Sequence, residues 1–84
     1  MTIDELAREL RRRHRTPPHG EKGTMPILFG IMYADELLKV RRSGSSVAEV
    51  VRRAKLKGVS QKSYAREVNS GLILAKYVQP KEVQ

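Results

Sequence analysis

The sequence contains no cysteine, and only four of its 84 residues are aromatic. The lack of cysteine excludes disulfides, thiolate metal sites and cysteine nucleophiles. The scarcity of aromatic rings argues against binding single-stranded nucleic acid by base stacking. No apolar run approaches the roughly 20 residues that cross a bilayer, and the acidic, amphipathic start of the chain lacks the pattern of a signal peptide. We therefore expect a soluble, cytoplasmic protein without a membrane partner.

Residue patterns for catalysis and metal binding are also lacking. The only histidines, His14 and His19, lie on either side of Pro17-Pro18 without a cysteine or an ordered carboxylate nearby, so a metal site is not expected. The acidic pairs Asp4-Glu5 and Asp35-Glu36 are adjacent in sequence, so the two carboxylates of each pair point to different sides of a helix. We expect no enzyme activity, no cofactor and no small-molecule substrate.

The positive charge is concentrated in one part of the chain. The formal net charge is +8, and the segment from Lys39 to Arg66 holds nine basic residues and a single acid, Glu49. The rest of the chain is balanced, with eight basic and eight acidic residues. A field concentrated in this way attracts a polyanion such as a nucleic acid. The alternative is a basic surface that serves only solubility.

The N-terminal segment has the signals of an amphipathic helix. Thr2 and Glu5 have the spacing of a capping box, and apolar residues then recur at helical spacing as far as Leu10. These features predict a helix from Ile3 to about His14, within an N-terminal unit at residues 1–15. The basic run at residues 11–15 either matches the helix dipole at a solvated helix end or contacts phosphate. Residues 16–25 contain two prolines and two glycines and are predicted to be a linker.

A long helix is predicted to begin at Pro26, a residue that suits the first position of a helix. Its broad apolar stripe ends before Arg41-Arg42, and Gly44 has the right type and place for a C-cap. The stripe is formed by Ile27, Leu28, Ile31, Met32, Leu37 and Leu38.

Two shorter helices are predicted after this one. A second capping box at Ser46 to Glu49 opens a helix that ends near Lys57, with Gly58 free to adopt a positive φ. Ser60 caps the next helix, and residues 69–71 predict a break. Residues 72–78 are apolar, with helix and strand both left open, and residues 79–84 are predicted to be a loose tail. Residues 26–78 would thus form one all-α domain.

The last two predicted helices and the turn between them, residues 54–69, are typical of a helix-turn-helix. Three helices with a short turn between the last two form a tri-helical helix-turn-helix unit, here with an extra N-terminal helix. The stretch resembles the helix-turn-helix of the lactose-repressor family. Ala54 lies four residues before the turn glycine, Gly58-Val59-Ser60 matches the turn, and Arg66, Val68 and Asn69 match the second helix.

A longer stretch, from Tyr33 to Val78, also resembles short bacterial and phage open reading frames called helix-turn-helix-like proteins. Two positions depart from the repressor pattern. Lys57 replaces the usual apolar residue before the turn glycine, and Glu67 stands where an aliphatic residue is usually buried. These departures predict either a longer turn or a rotated second helix.

The second helix of this unit has one apolar and one polar side. At about 100° per residue, Tyr64, Ala65 and Val68 fall together, and the polar side chains face away from them. The resemblance implies base contacts from Gln61, Lys62 and Arg66, and glutamine pairs well with adenine as lysine and arginine do with guanine. The candidate base contacts are Gln61, Lys62, Ser63, Arg66 and Asn69. The candidate phosphate contacts are Arg41, Arg42, Ser45, Ser46, Arg52, Arg53, Lys55, Lys57 and Ser60.

The sequence is consistent with two functions. The first is binding of double-stranded DNA by a small transcriptional regulator or an accessory protein of a mobile element. Because one such unit buries little surface, we expect a homodimer, with Ile3, Leu6 and Leu10 as the contact if they are not in the core. The second is a protein-interaction module whose basic face binds an acidic partner such as a nuclease or a toxin.

Overall fold

The computed structural model describes residues 1–15 and 22–78, and within these ranges all regular secondary structure is helical. The five helices are α1 (Ile3–Arg15), α2 (Met25–Met32), α3 (Ala34–Arg42), α4 (Val47–Ala54) and α5 (Gln61–Leu74). The predicted all-α class with a helix-turn-helix core, formed by α4 and α5, is confirmed. In the described residues, no helix is long and apolar enough to cross a membrane.

The predicted linker and tail are described only in part. Residues 16–21 of the linker and the whole of the tail, 79–84, lie outside the described residues. The remainder of the linker is structured, because a short 3-10 helix (Lys22–Thr24) leads into α2 and Met25, its first residue, is buried. Met25, the last residue of the predicted linker, is thus the first residue of α2. The short 3-10 helix accommodates Gly23, and burial of the Met25 side chain fixes the start of α2.

The N-terminal helix is part of the core of the domain. Helix α1 packs mainly on α4, and α2 packs mainly on α5. Leu6 and Leu10 are fully buried, which stabilises the fold by about 1.5–3 kcal/mol for each side chain. Because these leucines are in the core, they are not available for contact with a second copy. The largest fully buried side chains are Phe29, Leu6, Leu10, Leu37, Val50, Val51 and Val68.

The predicted cap of α1 is present in full. The backbone amide of Thr2 donates to Glu5 Oε1 at 2.7 Å, and the amide of Glu5 donates to Thr2 Oγ1 at 3.1 Å. The hydrogen bond from the Thr2 amide is the main cause that lowers the pKa of the Glu5 carboxyl. These two bonds satisfy amide groups that the first turn of a helix leaves unpaired.

The long helix predicted from Pro26 to Arg42 is in fact two helices. Tyr33, with φ −112° and ψ 29°, separates α2 from α3. Its amide still donates to the Phe29 carbonyl at 3.0 Å, and its ring lies 4.7 Å from that of Phe29. Asp35 and Glu36 then occupy the first turn of α3, where the helix dipole favours acids. The break also leaves Leu38 exposed, although the sequence pattern placed it on the apolar stripe.

The break predicted at residues 69–71 is wrong, because α5 continues through them to Leu74. Gly71 is buried where α5 touches α2, and a Cβ added there would lie 2.0 Å from the carbonyl oxygen of Ile27. Gly30 is its counterpart on α2, where an added Cβ would lie 2.1 Å from the Val68 carbonyl oxygen. The glycine therefore permits close packing of two helices instead of ending one of them. For residues 72–78, helix and strand were both left open. Residues 72–74 are helical and are followed by a turn at 75–77.

The turn of the helix-turn-helix spans residues 55–60 and is longer than predicted. Helix α4 ends at Ala54 and not near Lys57, because Lys55 adopts the left-handed conformation with φ 53° and ψ 50°. Leu56 is consequently buried, whereas Lys57 is exposed, and Gly58 has the expected positive φ of 75°. The prediction that α4 ends near Lys57 is therefore wrong. The apolar side predicted for α5 is also confirmed, with Tyr64 and Val68 buried.

Candidate nucleic-acid interface

An open groove of about 390 Å³ runs between one flank of α5, the last turn of α3 and the first turn of α4. Its floor is formed by small or apolar residues, Val47, Ala48 and Ala65. Its polar lining consists of Lys62, Arg66 and Asn69 from α5, facing Arg41, Ser45 and Ser46. Three candidate base contacts and three candidate phosphate contacts thus line one concave surface. We call this surface the groove.

The wall opposite α5 is held in place by backbone and capping bonds. Gly44, with φ 94°, lets the chain turn sharply after α3, and the amide of Ser45 donates to the Val40 carbonyl at 3.2 Å. Ser46 then caps α4, because its Oγ accepts a bond from the Glu49 amide at 3.2 Å. Since the hydroxyl of Ser46 acts as an acceptor in this cap, its own hydrogen remains available to a ligand.

Basic side chains in the groove differ in their pairing from those on the outer face of α4. Among the described residues, no carboxylate lies within ion-pair distance of Arg41, Lys62 or Arg66. By contrast, Glu49 accepts a bond from Arg52 Nε at 2.9 Å and one from Arg53 Nε at 2.6 Å. These bonds lower the pKa of the Glu49 carboxyl to about 2.

The Glu49 ion pairs extend to α1, because Arg53 Nη1 also lies 3.1 Å from Asp4 Oδ1. The two arginines on the outer face of α4 therefore have carboxylate partners within the protein, and neither lines the groove. We call Glu49, Arg52, Arg53 and Asp4 the paired cluster.

The other predicted site residues lie outside the groove. Gln61, Ser63 and Arg42 are exposed but do not line it. The hydroxyl of Ser60 accepts a bond from the Ser63 amide at 3.3 Å, as the predicted cap of α5 requires. Lys55 and Lys57 belong to a different surface.

That surface is a depression of about 550 Å³ between the turn and the end of α1. It is lined by Lys55, Leu56 and Lys57 from the turn and by Arg11, His14 and Arg15 from α1. Sequence reasoning left the role of Arg11 and Arg15 open, because the only local signal was their fit to the helix dipole. Their proximity to the turn depends on the packing of α1, which a contact between residues 50 positions apart reveals: the Tyr64 hydroxyl lies 3.3 Å from His14 Nδ1.

Tyr64 fixes the end of α1 against α5. Its ring meets the His14 ring edge-on, with 5.4 Å between centroids and an interplanar angle of 75°. Burial, together with the negative charge of Glu67, raises the pKa of the Tyr64 hydroxyl to about 12. The hydroxyl is therefore uncharged at neutral pH where it contacts His14. Within the described residues, no group of three His, Asp or Glu side chains is placed to hold a metal ion.

The comparisons with known proteins give one match. A family model described as an HTH-like domain matches residues 2–81, a span that includes all five helices. No curated protein and no solved structure matches the chain.

Proposed function

We propose that this chain, which belongs to the HTH-like domain family, binds double-stranded DNA by inserting α5 into the major groove. One observation carries the proposal. The groove brings Lys62, Arg66 and Asn69 of α5 together with Arg41 and the serines that precede α4. A helix-turn-helix needs this arrangement, with base-reading side chains on the second helix and phosphate-binding groups beside it.

The proposed contacts follow from the chemistry of these side chains. Arg66 and Lys62 would donate to the O6 and N7 atoms of guanine, and Asn69 would pair with adenine. The guanidinium of Arg41 and the hydroxyls of Ser45 and Ser46 would bind phosphate oxygens and so fix the register of α5 without reading sequence. The absence of a carboxylate partner for Lys62 and Arg66 among the described residues supports this role, because neither cation has to leave an ion pair first.

In the cell, such a protein would act by binding and not by catalysis. We propose a cytoplasmic regulator of transcription or an accessory protein of a mobile element. Two copies on a two-fold symmetric site would bind more tightly than a single unit of this size. Because Leu6 and Leu10 are buried, such a dimer would use a surface other than the apolar face of α1.

The test begins with a short, labelled duplex pool of random sequence, from which a preferred site is selected. Fluorescence anisotropy then gives the dissociation constants for the selected and the random duplex. We expect Arg66→Ala to lower the ratio of the two affinities about 5- to 150-fold, as the loss of a bidentate guanine contact does. Arg41→Ala should weaken binding to both duplexes alike. Lys76→Ala, an exposed lysine that lines neither surface, controls for net charge.

Two results would contradict the proposal. If Arg66→Ala and Arg41→Ala have the same effect on both duplexes, base reading by α5 is wrong. If the wild-type chain binds no duplex even at low salt, DNA binding itself is wrong. The second result would favour the acidic protein partner as the ligand of the basic face.

A further inference from the structure

We infer that the depression beside the turn is a second phosphate-binding surface, which holds the DNA backbone where it passes the N-terminal end of α5. Its cationic lining is Arg11, Arg15, Lys55 and Lys57, which we call the turn cluster. This inference rests on the proposed function and extends it, because it assigns a DNA contact to α1, a helix outside the helix-turn-helix itself.

The position of the turn cluster follows from the contacts of Tyr64. His14, which lines the depression, contacts the Tyr64 hydroxyl and therefore lies on the Tyr64 side of α5. At about 100° per residue, Lys62, Arg66 and Asn69 lie about 140° to 160° around α5 from Tyr64. The turn cluster is therefore separate from the groove, and it lies beside the N-terminal end of α5, because Lys57 precedes Gln61 by only four residues.

The dimensions of the major groove can be compared with those of α5. The major groove is about 12 Å wide, and an α-helix with its side chains is about 10–12 Å in diameter. A helix that fills the major groove therefore has one phosphate backbone beside each flank. Arg41, Ser45 and Ser46 would meet the backbone along α5, and the turn cluster would meet the backbone that passes the N-terminal end of α5, the end that a helix-turn-helix directs at the base edges.

The charge of the turn cluster fits a phosphate backbone. All four of its cations are exposed, and no acidic residue lines the depression. In the described part of the chain, none of the four forms an ion pair with a carboxylate. The cluster thus differs from the paired cluster on α4, where each arginine has a carboxylate partner.

The backbone conformation of Lys55 is an independent observation that points to the same surface. Lys55 is the one described residue other than glycine with a positive φ, a conformation in which glycine or asparagine is normally found. Backbone strain of this kind often accompanies functional positions. Here the strained conformation presents a lysine to a depression that α1 lines with two arginines.

The experiment compares two variants that each lose two positive charges. Arg11→Gln/Lys55→Gly removes half of the turn cluster, and Arg8→Gln/Lys76→Gln removes two exposed cations that line neither surface and have no ion pair within the described residues. Anisotropy titrations use the random and the selected duplex over a range of salt concentrations. The slope of log K against log salt changes by about 0.9 for each phosphate contact.

For the turn-cluster variant we expect the slope to fall by about 1.8, and the affinity at about 0.1 M salt to fall about 60-fold for both duplexes alike. The control variant should change the affinity less than about threefold. Lys55→Gly alone should change the slope by about 0.9, with a thermal midpoint that is unchanged or higher because glycine tolerates the positive φ. This single variant separates loss of a contact from loss of the fold.

Three results would overturn the inference. If the wild-type chain binds duplex DNA but the turn-cluster variant binds like its control, the second surface is wrong while the proposed function stands. If the turn-cluster variant loses only its preference for the selected duplex, these residues read bases instead of binding phosphate. If the wild-type chain binds no duplex, the inference falls together with the proposed function.

Discussion

Two basic regions of the molecule, the groove and the paired cluster, contain similar residues in very different electrostatic settings. In the paired cluster, Glu49 lies three and four residues before Arg52 and Arg53, the spacing at which side chains on a helix meet. In the groove, Arg41 and Arg66 come from different helices, and no acidic residue lines the surface. The number of arginines in a segment therefore does not show how many of them are unpaired at the surface. The position of the acids decides which cations are available.

The largest effect, on the free energy of unfolding, is expected from disrupting the close contact between α2 and α5 at Gly71. Gly71→Ala puts a Cβ about 2.0 Å from the Ile27 carbonyl oxygen, so α2 and α5 must move apart. We expect a loss of roughly 3 kcal/mol in the free energy of unfolding, at the upper end of the usual cost of overpacking. Urea denaturation of the variant and the wild-type protein measures this difference in the free energy of unfolding.

Gly23→Ala is the matched control for this substitution. No atom lies within 4 Å of a Cβ added at Gly23, so its effect should stay within about 0.5 kcal/mol. Equal stability of the Gly71→Ala and wild-type proteins would contradict the close approach of α2 to α5.

A second experiment converts the paired cluster into an unpaired one. Glu49→Gln removes the carboxylate that binds Arg52 and Arg53, while the backbone amide that Ser46 caps is retained. We expect duplex DNA affinity to rise about eightfold at about 0.1 M salt if one released arginine reaches a phosphate. Anisotropy with the random duplex measures the change.

The control for Glu49→Gln is Glu36→Gln, which also removes a partly buried, ion-paired carboxylate but lies in the first turn of α3. It should raise the affinity much less. In addition, Arg52→Ala should weaken binding more in the Glu49→Gln background than in the wild type. If Arg52→Ala weakens binding equally in both backgrounds, the ion pairs do not restrain Arg52.

The smallest effect concerns the pH dependence of stability. Because the folded-state pKa of Glu49 is lowered to about 2 from its usual value of 4.5, its ion pairs contribute fully above pH 4.5. That contribution is lost as the pH falls towards 2. We expect the thermal midpoint of the wild-type protein to fall more between pH 5 and pH 2 than that of Glu49→Gln. Thermal unfolding followed by circular dichroism checks this, and equal falls would show that Glu49 is not stabilised by Arg52 and Arg53.

Local signals predicted the parts of the fold that depend on neighbouring residues. The capping box at Thr2, the cap at Ser60 and the positive φ of Gly44 and Gly58 each involve contacts within a few residues, and all are present. The same local reasoning failed at Tyr33 and at Gly71. At Tyr33 the two apolar stretches face different partners, and at Gly71 the glycine serves a contact with α2, 44 residues away along the chain at Ile27.

The candidate site shows the same division. The polar side of α5 was predictable because helical geometry alone places Lys62 and Arg66 together. It was not predictable that the phosphate candidates would separate into a groove, a paired cluster and a turn cluster, because this separation depends on how α1 and α3 pack. Arg11 and Arg15 gave no local sign that they would lie beside Lys55.

By itself, the sequence determined the helical class, the caps at Thr2, Ser46 and Ser60, the apolar sides of α1 and α5, and the excess of positive charge between Lys39 and Arg66. These features follow from helical periodicity and from interactions over three or four residues. Only the tertiary structure decided which cations face each other across a groove and which are held by carboxylates. The reason is physical: the charge at a surface is the sum over side chains that packing brings together, and Arg53 with Asp4, or Lys55 with Arg11, meet only once the helices have packed.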